Sequence, residues 1–135
     1  MKRGFTLAEL LGVIIIIALI TLIAIPAITD SLSHYKQNLC ETQVSYMIAS
    51  AKNWGTEHLL QLPEEGETLT ITVSELIRQG FMDGDKDALT EEDKLKVINP
   101  NTKEYFEPDP VITIAKKGKR FVYTVDDNTK NSCQE

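Results

Sequence analysis

A single carboxylate stands at the head of a long apolar stretch near the start of this chain of 135 residues. It belongs to Glu9, and the next charged residue is Asp30. A carboxylate in such a place is costly unless a partner or an interface relieves its charge, so Glu9 is a candidate functional residue. Thr6 precedes it by three positions, and Thr-x-x-Glu also predicts a capping box at the start of a helix.

A second group of carboxylates follows the spacing of a calcium loop. Asp83, Asp85 and Asp87 occupy alternate positions, as the first ligands of an EF-hand do. The sixth position is Ala88 instead of Gly, and the twelfth is Lys94 instead of Glu. We therefore predict a plain acidic surface loop without a metal ion, with calcium held in a different geometry as the alternative.

The sequence contains no recognisable catalytic motif. The two histidines, His34 and His58, stand in no ligand or catalytic spacing, and no nucleophile elbow, phosphate loop or CxxC pair occurs. We expect a protein that is not an enzyme and uses no cofactor. The net charge of −6 argues against a nucleic-acid-binding surface, and the basic cluster 116–120 is predicted to be a solvated hairpin turn.

The element that must position Glu9 is an apolar helix. About 20 apolar residues at ~1.5 Å each cover the ~30 Å hydrocarbon core of a bilayer. Lys2 and Arg3 before the stretch, with Asp30 after it, predict that the N-terminus stays inside and residues 30–135 are exported. The stretch is longer than the ~7–15 apolar residues of a secretory signal peptide. A plain signal anchor fits the hydropathy equally well.

The helix is expected to continue beyond the membrane. Pro26 removes one backbone N–H and predicts a kink, not an end. From Asp30 to about Gly55 apolar residues recur at helical spacing and predict an amphipathic helix with one buried stripe. We place in this stripe Leu32, Tyr35, Leu39, Tyr46 or Met47, Ala51 and Trp54, with Val44 and Ile48 beside them.

The rest of the chain predicts a small sheet. A short helix is expected at 72–80, capped by Thr72 or Ser74 and ended by Gly80. Strands are expected at 94–98, 111–115 and 120–125, where β-branched and aromatic residues concentrate. The predicted fold class is α+β, with one long N-terminal helix packed on a small antiparallel sheet.

Two cysteines, Cys40 and Cys133, lie in the part of the chain that we expect to be exported. An even number of cysteines outside the cytoplasm is compatible with one disulfide. We predict that the two residues pair. Two unpaired thiols, one packed on the helix and one in a loose polar tail, are the alternative.

The first 30 residues resemble the N-terminus of type IV prepilins and type II secretion pseudopilins. That family has a short basic leader ending in Gly, then Phe, Thr-Leu-x-Glu and a long apolar helix. Here the leader is Lys2-Arg3-Gly4, the next residues are 5–11 (Phe-Thr-Leu-Ala-Glu-Leu-Leu), and Pro26 falls where many pilins have a proline. The remainder of the chain resembles the family in layout only.

The resemblance implies three segments: a leader at 1–4, a transmembrane and assembly half-helix at 5–29, and a pilin-like extracytoplasmic domain at 30–135. It implies that a prepilin peptidase cuts between Gly4 and Phe5 and methylates the new Phe5 amine. Glu9 would then pair with the Phe5 amine, within the chain or between neighbours, and in assembly with that of the next subunit. An assembly ATPase, a platform protein and other pilin subunits are the implied partners, in the inner or cytoplasmic membrane and then in an extracellular or periplasmic filament.

Two functions are therefore expected from the sequence. The first is a structural subunit of a type IV pilus-like filament, which in this family means a pilus (fimbrium), a secretion pseudopilus or a competence pilus. The alternative is an uncleaved, single-pass, membrane-anchored binding domain outside the cytoplasm. The prepilin-like segment from Gly4 to Glu9 favours the filament subunit.

Overall fold

The computed structural model describes residues 4–134 and shows the predicted α+β class, with one long N-terminal helix and a small antiparallel sheet. The chain divides into two compact units, of which the first ends at Tyr35 and the second begins at Lys36. The helices and strands are α1 (Leu7–Glu57), β1 (Thr68–Thr72), α2 (Val73–Arg78), β2 (Val111–Lys117), β3 (Arg120–Val125) and α3 (Asp127–Asn131), with 3-10 turns at Leu59–Gln61 and Asp93–Leu95.

The first unit contains the N-terminal part of α1. Its apolar side chains are exposed, and Ile23, for example, is 79% exposed. In length and composition α1 contains a segment able to cross a membrane. The helix runs without interruption through Pro26, so the proline lies inside it. The kink expected at Pro26 stays a prediction.

The sheet of the second unit has the strand order β1-β2-β3, and both pairings are antiparallel. Thr72 lies opposite Val111 at one end of the sheet, and Lys117 lies opposite Arg120 at the other. A two-residue turn joins β2 to β3, and its first residue, Gly118, has a φ of +62° that suits glycine.

One face of α1 and one face of the sheet form the core of the second unit. Met47 and Ala51 from the helix and Ile112 and Ile114 from β2 have no solvent exposure. Gly55 allows the helix to approach β3 closely, because a Cβ at this position would collide with the phenol of Tyr123. A side chain at position 55 would therefore require the Tyr123 phenol to move.

The predicted buried stripe of α1 is only partly right. Met47, Ala51 and Trp54 are buried, and of the alternatives Tyr46 and Met47 the structure buries Met47. The three preceding members of the stripe are exposed, namely Leu32, Tyr35 and Leu39. Cys40, which was not placed in the stripe, is fully buried. Successive helix residues differ by about 100° in direction, so Cys40 and Leu39 cannot both face the core. Cys40 faces it and is bonded to Cys133, whereas Leu39 stays exposed.

The first predicted strand is wrong. Residues 94–98 form the end of a 3-10 turn and a single bridge between Ile98 and Tyr105, and the third strand of the sheet is Thr68–Thr72. The side chain of Lys96 binds Asp93 three residues earlier, which a turn allows and a strand does not. Thr68–Thr72 alternates threonine with Leu69 and Ile71, so the sequence did carry a strand pattern there.

The expectations for the remaining elements are confirmed. The Thr72 hydroxyl accepts a hydrogen bond from the Glu75 amide and caps α2, and Gly80 follows the helix with a φ of +85°. Cys40 and Cys133 form a disulfide, with their Cα atoms 5.4 Å apart. The bridge ties the end of the described chain to the middle of α1.

Candidate functional site

The residues before and within the first turn of α1 form a capping box. The Thr6 amide donates a hydrogen bond of 3.1 Å to Oε2 of Glu9, and the Glu9 amide donates one of 3.3 Å to Oγ1 of Thr6. These bonds use backbone N–H groups that have no partner inside a helix. The arrangement therefore holds the Glu9 carboxylate in a defined position at the start of the helix.

One oxygen of this carboxylate remains available. Oε1 of Glu9 accepts no hydrogen bond from any residue in the range 4–134, and Glu9 is exposed. Gly4, Phe5, Thr6 and Glu9 line an open depression of about 510 Å³. Phe5 is 88% exposed, and a Cβ built on Gly4 would meet no atom within 4 Å. The site can accept a cation at Glu9 and presents the junction between Gly4 and Phe5 to a second molecule.

The surface that follows Glu9 is apolar around the whole circumference of the helix. Leu, Ile and Val side chains on every face are about half exposed or more, and this set comprises Leu10, Leu11, Val13, Ile14, Ile15, Ile16, Ile17, Leu19, Ile20, Leu22, Ile23, Ile25 and Ile28. Such a helix needs lipid or other helices around it. The carboxylate of Glu9 therefore lies at the edge of a region from which water is excluded when that surface is covered.

Polar groups within the apolar segment bind the helix backbone. The Thr21 hydroxyl donates to the Ile17 carbonyl at 2.7 Å, and the Thr29 hydroxyl donates to the Pro26 carbonyl at 2.8 Å. Since Pro26 has no N–H, the carbonyl of Leu22 lacks its helical donor. The helix therefore has one backbone hydrogen bond fewer at this point.

The C-terminal end of the second unit is fixed by side chains as well as by the disulfide. The buried Asn99 donates to the hydroxyl of Ser132 at 3.0 Å. Asp126 caps α3 through the amide and hydroxyl of Thr129 and also accepts from the Val111 amide at 3.0 Å. Burial opposes ionisation of Asp126, but these hydrogen bonds outweigh it and lower its pKa.

Within residues 4–134 the carboxylates of Asp83 and Asp85 in the predicted acidic loop have partners in the fold, and that of Asp87 has no ion pair. Asp85 accepts from the Asp87 amide at 3.1 Å and from the Tyr105 hydroxyl at 2.7 Å, and the bond to Asp85 is the main reason that the pKa of Tyr105 is raised to about 12. Asp83 pairs with Lys86 at 3.5 Å. Within residues 4–134 no group of three or more His, Cys, Asp or Glu side chains is arranged to hold a metal ion.

The two histidines do not meet in a site. His34 is exposed on the first unit. His58, on the second, stacks on Trp54 with 4.6 Å between ring centroids, and its Nδ1 lies 2.8 Å from the Trp54 carbonyl oxygen. Packing at the end of α1 accounts for the contacts of His58.

Sequence reasoning missed one charged network. Lys96 contacts Asp93 at 3.0 Å and Glu107 at 3.3 Å, and hydrogen bonds to these two carboxylates raise the pKa of Lys96. It also missed the hydrogen bond between Asn99 and Ser132. The pairings with Glu107 and Ser132 join residues far apart in sequence, so no local pattern could have shown them.

Comparison of the chain with protein-family models, with curated proteins and with solved structures finds no match.

Proposed function

We propose that this chain is a structural subunit of a type IV pilus-like filament, cleaved between Gly4 and Phe5 and assembled through its apolar N-terminal helix. The observation that carries the proposal is the site at the start of α1. A carboxylate is held there by a capping box with one oxygen free, directly before a helix that is apolar on all sides. The prepilin-like sequence from Gly4 to Glu9 supports the same function.

Cleavage supplies the cation that this carboxylate lacks. Hydrolysis by a prepilin peptidase consumes one water and yields a carboxylate on Gly4 and an α-ammonium group on Phe5. Methylation then replaces one N–H hydrogen with a methyl group from a methyl donor, and the amine stays cationic at neutral pH. Phe5 and Glu9 lie at the same end of the apolar helix. Each processed subunit therefore carries one anion and one cation at the edge of its apolar surface.

Pairing of these charges between subunits sets the register of a filament. In a bundle of apolar helices an unpaired carboxylate or ammonium group is strongly destabilising, whereas a hydrogen-bonded pair offsets much of that cost. The Phe5 ammonium of an incoming subunit can bind the free Oε1 of Glu9 in the subunit before it. Helices that shift along one another lose this contact, so one axial position is favoured.

The proposed sequence of events begins in the membrane. The chain is inserted with its N-terminus inside, in the orientation that Lys2, Arg3 and Asp30 predict. After cleavage an assembly ATPase and a platform protein move it from lipid into the filament, because apolar helices have no hydrophobic reason to leave lipid. The second unit then lies outside the cytoplasm, where the disulfide of Cys40 and Cys133 is stable.

The proposal is tested by Glu9→Gln, with Glu57→Gln as the matched control. A glutamine can still accept the bond from the Thr6 amide, so the capping box and the helix start persist. The variant leaves the neighbour's Phe5 ammonium unpaired, which costs about 3–5 kcal/mol at each contact if the site is dry. We expect cleavage and membrane insertion to continue and the yield of sheared filament to fall to near zero.

Glu57 is exposed at the other end of α1, and the same substitution there should leave filament yield unchanged. Normal filament yield from Glu9→Gln, in cells without the wild-type subunit, would show that Glu9 acts only as a helix cap.

The uncleaved membrane-anchored domain is distinguished by the N-terminus of the exported protein. Mass spectrometry should find a chain that begins at N-methylated Phe5. A chain that retains Met1 to Gly4 would overturn the filament proposal and support the anchored domain.

A further inference from the structure

The turn between β2 and β3 concentrates positive charge on an otherwise acidic protein. Lys116, Lys117, Lys119 and Arg120 place four cations within five residues, although the whole chain has a net charge of −6. We call residues 116–120 the basic tip. The rest of the chain therefore carries a net charge of −10.

The basic tip lies beside an acidic loop, but its side chains form no ion pair within residues 4–134. The nearest acidic loop precedes β1, and the backbone of Glu65 in that loop bridges to Lys116. The Lys116 ammonium lies 6.0 Å from the centre of the Phe121 ring. Lys117, Lys119 and Arg120 are exposed and form no ion pair with any residue in the described range 4–134.

The complementary surface lies in the segment Asp83–Asp93, which we call the acidic segment. It has six carboxylates and one lysine, Lys86. Asp83, Asp85 and Asp87 line an open depression of about 430 Å³ together with Lys86, which pairs with Asp83, and with Val97 and Ile98. The carboxylate of Asp87 forms no ion pair within residues 4–134.

The basic tip and the acidic segment are anchored at opposite ends of the sheet. The tip lies where Lys117 faces Arg120. At the other end Thr72 leads into α2, which contacts the turn Asp93–Leu95 at the end of the acidic segment. Their separation prevents the two surfaces from meeting within one chain, so a second molecule must supply each with its partner.

We infer that the basic tip of one copy of this chain enters the acidic depression of a second copy. A second copy is the occupant that the charges favour, because it presents carboxylates and is at high local concentration in any assembly. Because the two contacting surfaces differ, the contact can repeat from copy to copy. Such repetition builds an open helical filament unless the rotation between copies closes it into a ring. The inference rests on the proposed filament function, to which it adds an axial contact outside the membrane.

Zero-length carbodiimide cross-linking of sheared filaments tests the contact, because it joins a lysine to a carboxylate only where they touch. A band at twice the subunit mass should contain peptides that link Lys117 or Lys119 to Asp83 or Asp87. The monomer band should lack these peptides. A dimer band without them overturns the inference, while the filaments themselves still support the proposed function. Absence of filaments altogether overturns the proposed function and this inference with it.

Charge reversal gives an independent test. Lys119→Glu and Asp87→Lys should each lower filament yield at least fivefold, and the doubly reversed chain should recover most of the yield. Lys103→Glu is the matched control, since Lys103 is exposed outside both surfaces. The circular dichroism spectrum of each variant should match that of the wild type, because neither Lys119 nor Asp87 has an ion-pair partner in its own unit. Equal loss from the control, or no recovery in the double variant, would refute the contact.

Discussion

Loss of the Cys40–Cys133 disulfide should strongly destabilise the second unit. The bridge joins residues 93 positions apart. In the chain-entropy model a closed loop of this size stabilises the fold by about 4.6 kcal/mol at 25 °C, because it restricts the unfolded chain. Domains of about 100 residues have a free energy of unfolding of only about 5–15 kcal/mol. Reduction should therefore remove a third or more of the stability.

Trp54 provides the assay. It is the only tryptophan, it is 5% exposed, and its Nε1 donates to Gln79 at 2.9 Å, so its fluorescence reports on unfolding of the core. Urea titrations of the full chain in detergent micelles should be run with and without a reductant. With a slope near 2 kcal/mol per molar, the midpoint should fall by about 2 M on reduction.

The double variant Cys40→Ala/Cys133→Ala is the matched control, because reductant has no disulfide to act on there. Its midpoint should equal that of the reduced wild type and should not move when reductant is added. A shift below about 0.5 M in the wild type would refute the loop-entropy argument. The tail would then be ordered mainly by Asn99 and by the Asp126 cap.

Three further substitutions test other parts of the structure. Gly55→Ala drives a methyl group into the Tyr123 phenol and should cost about 1–3 kcal/mol by urea titration, whereas Gly12→Ala, whose new Cβ meets nothing within 4 Å, should leave the midpoint unchanged. Asp126→Ala should cost about 1 kcal/mol at pH 7. Because the folded-state pKa of Asp126 is lowered, its carboxylate stabilises the fold above about pH 4, and the deficit of the variant should shrink as the pH falls through the folded pKa. Gly4→Val should block cleavage but not insertion, and equal electrophoretic mobility of variant and wild type in cells with the peptidase would contradict this.

Local interactions were predictable from the sequence. The capping box of Thr6 and Glu9 and the cap of α2 by Thr72 each join residues three positions apart, and both occur as expected. The length of α1 followed from its composition in the same way, since helix formation and hydropathy depend on neighbouring residues. The candidate site at Glu9 therefore needed no tertiary structure to be found.

Packing between distant segments was decided only by the tertiary structure. The stripe that we predicted on α1 is only partly buried, and the strand that we predicted at 94–98 is a turn, because both outcomes depend on which distant segments pack there. Cys40 is buried because it faces the core and is bonded to Cys133, 93 positions away, whereas Leu39 points elsewhere and stays exposed. Thr68–Thr72 is a strand because β2 lies beside it, while Lys96 is held in a turn by Asp93 and by Glu107. The packing that forms is the one with the lowest free energy for the whole unit. That free energy depends on contacts between distant residues, which no short window of sequence contains.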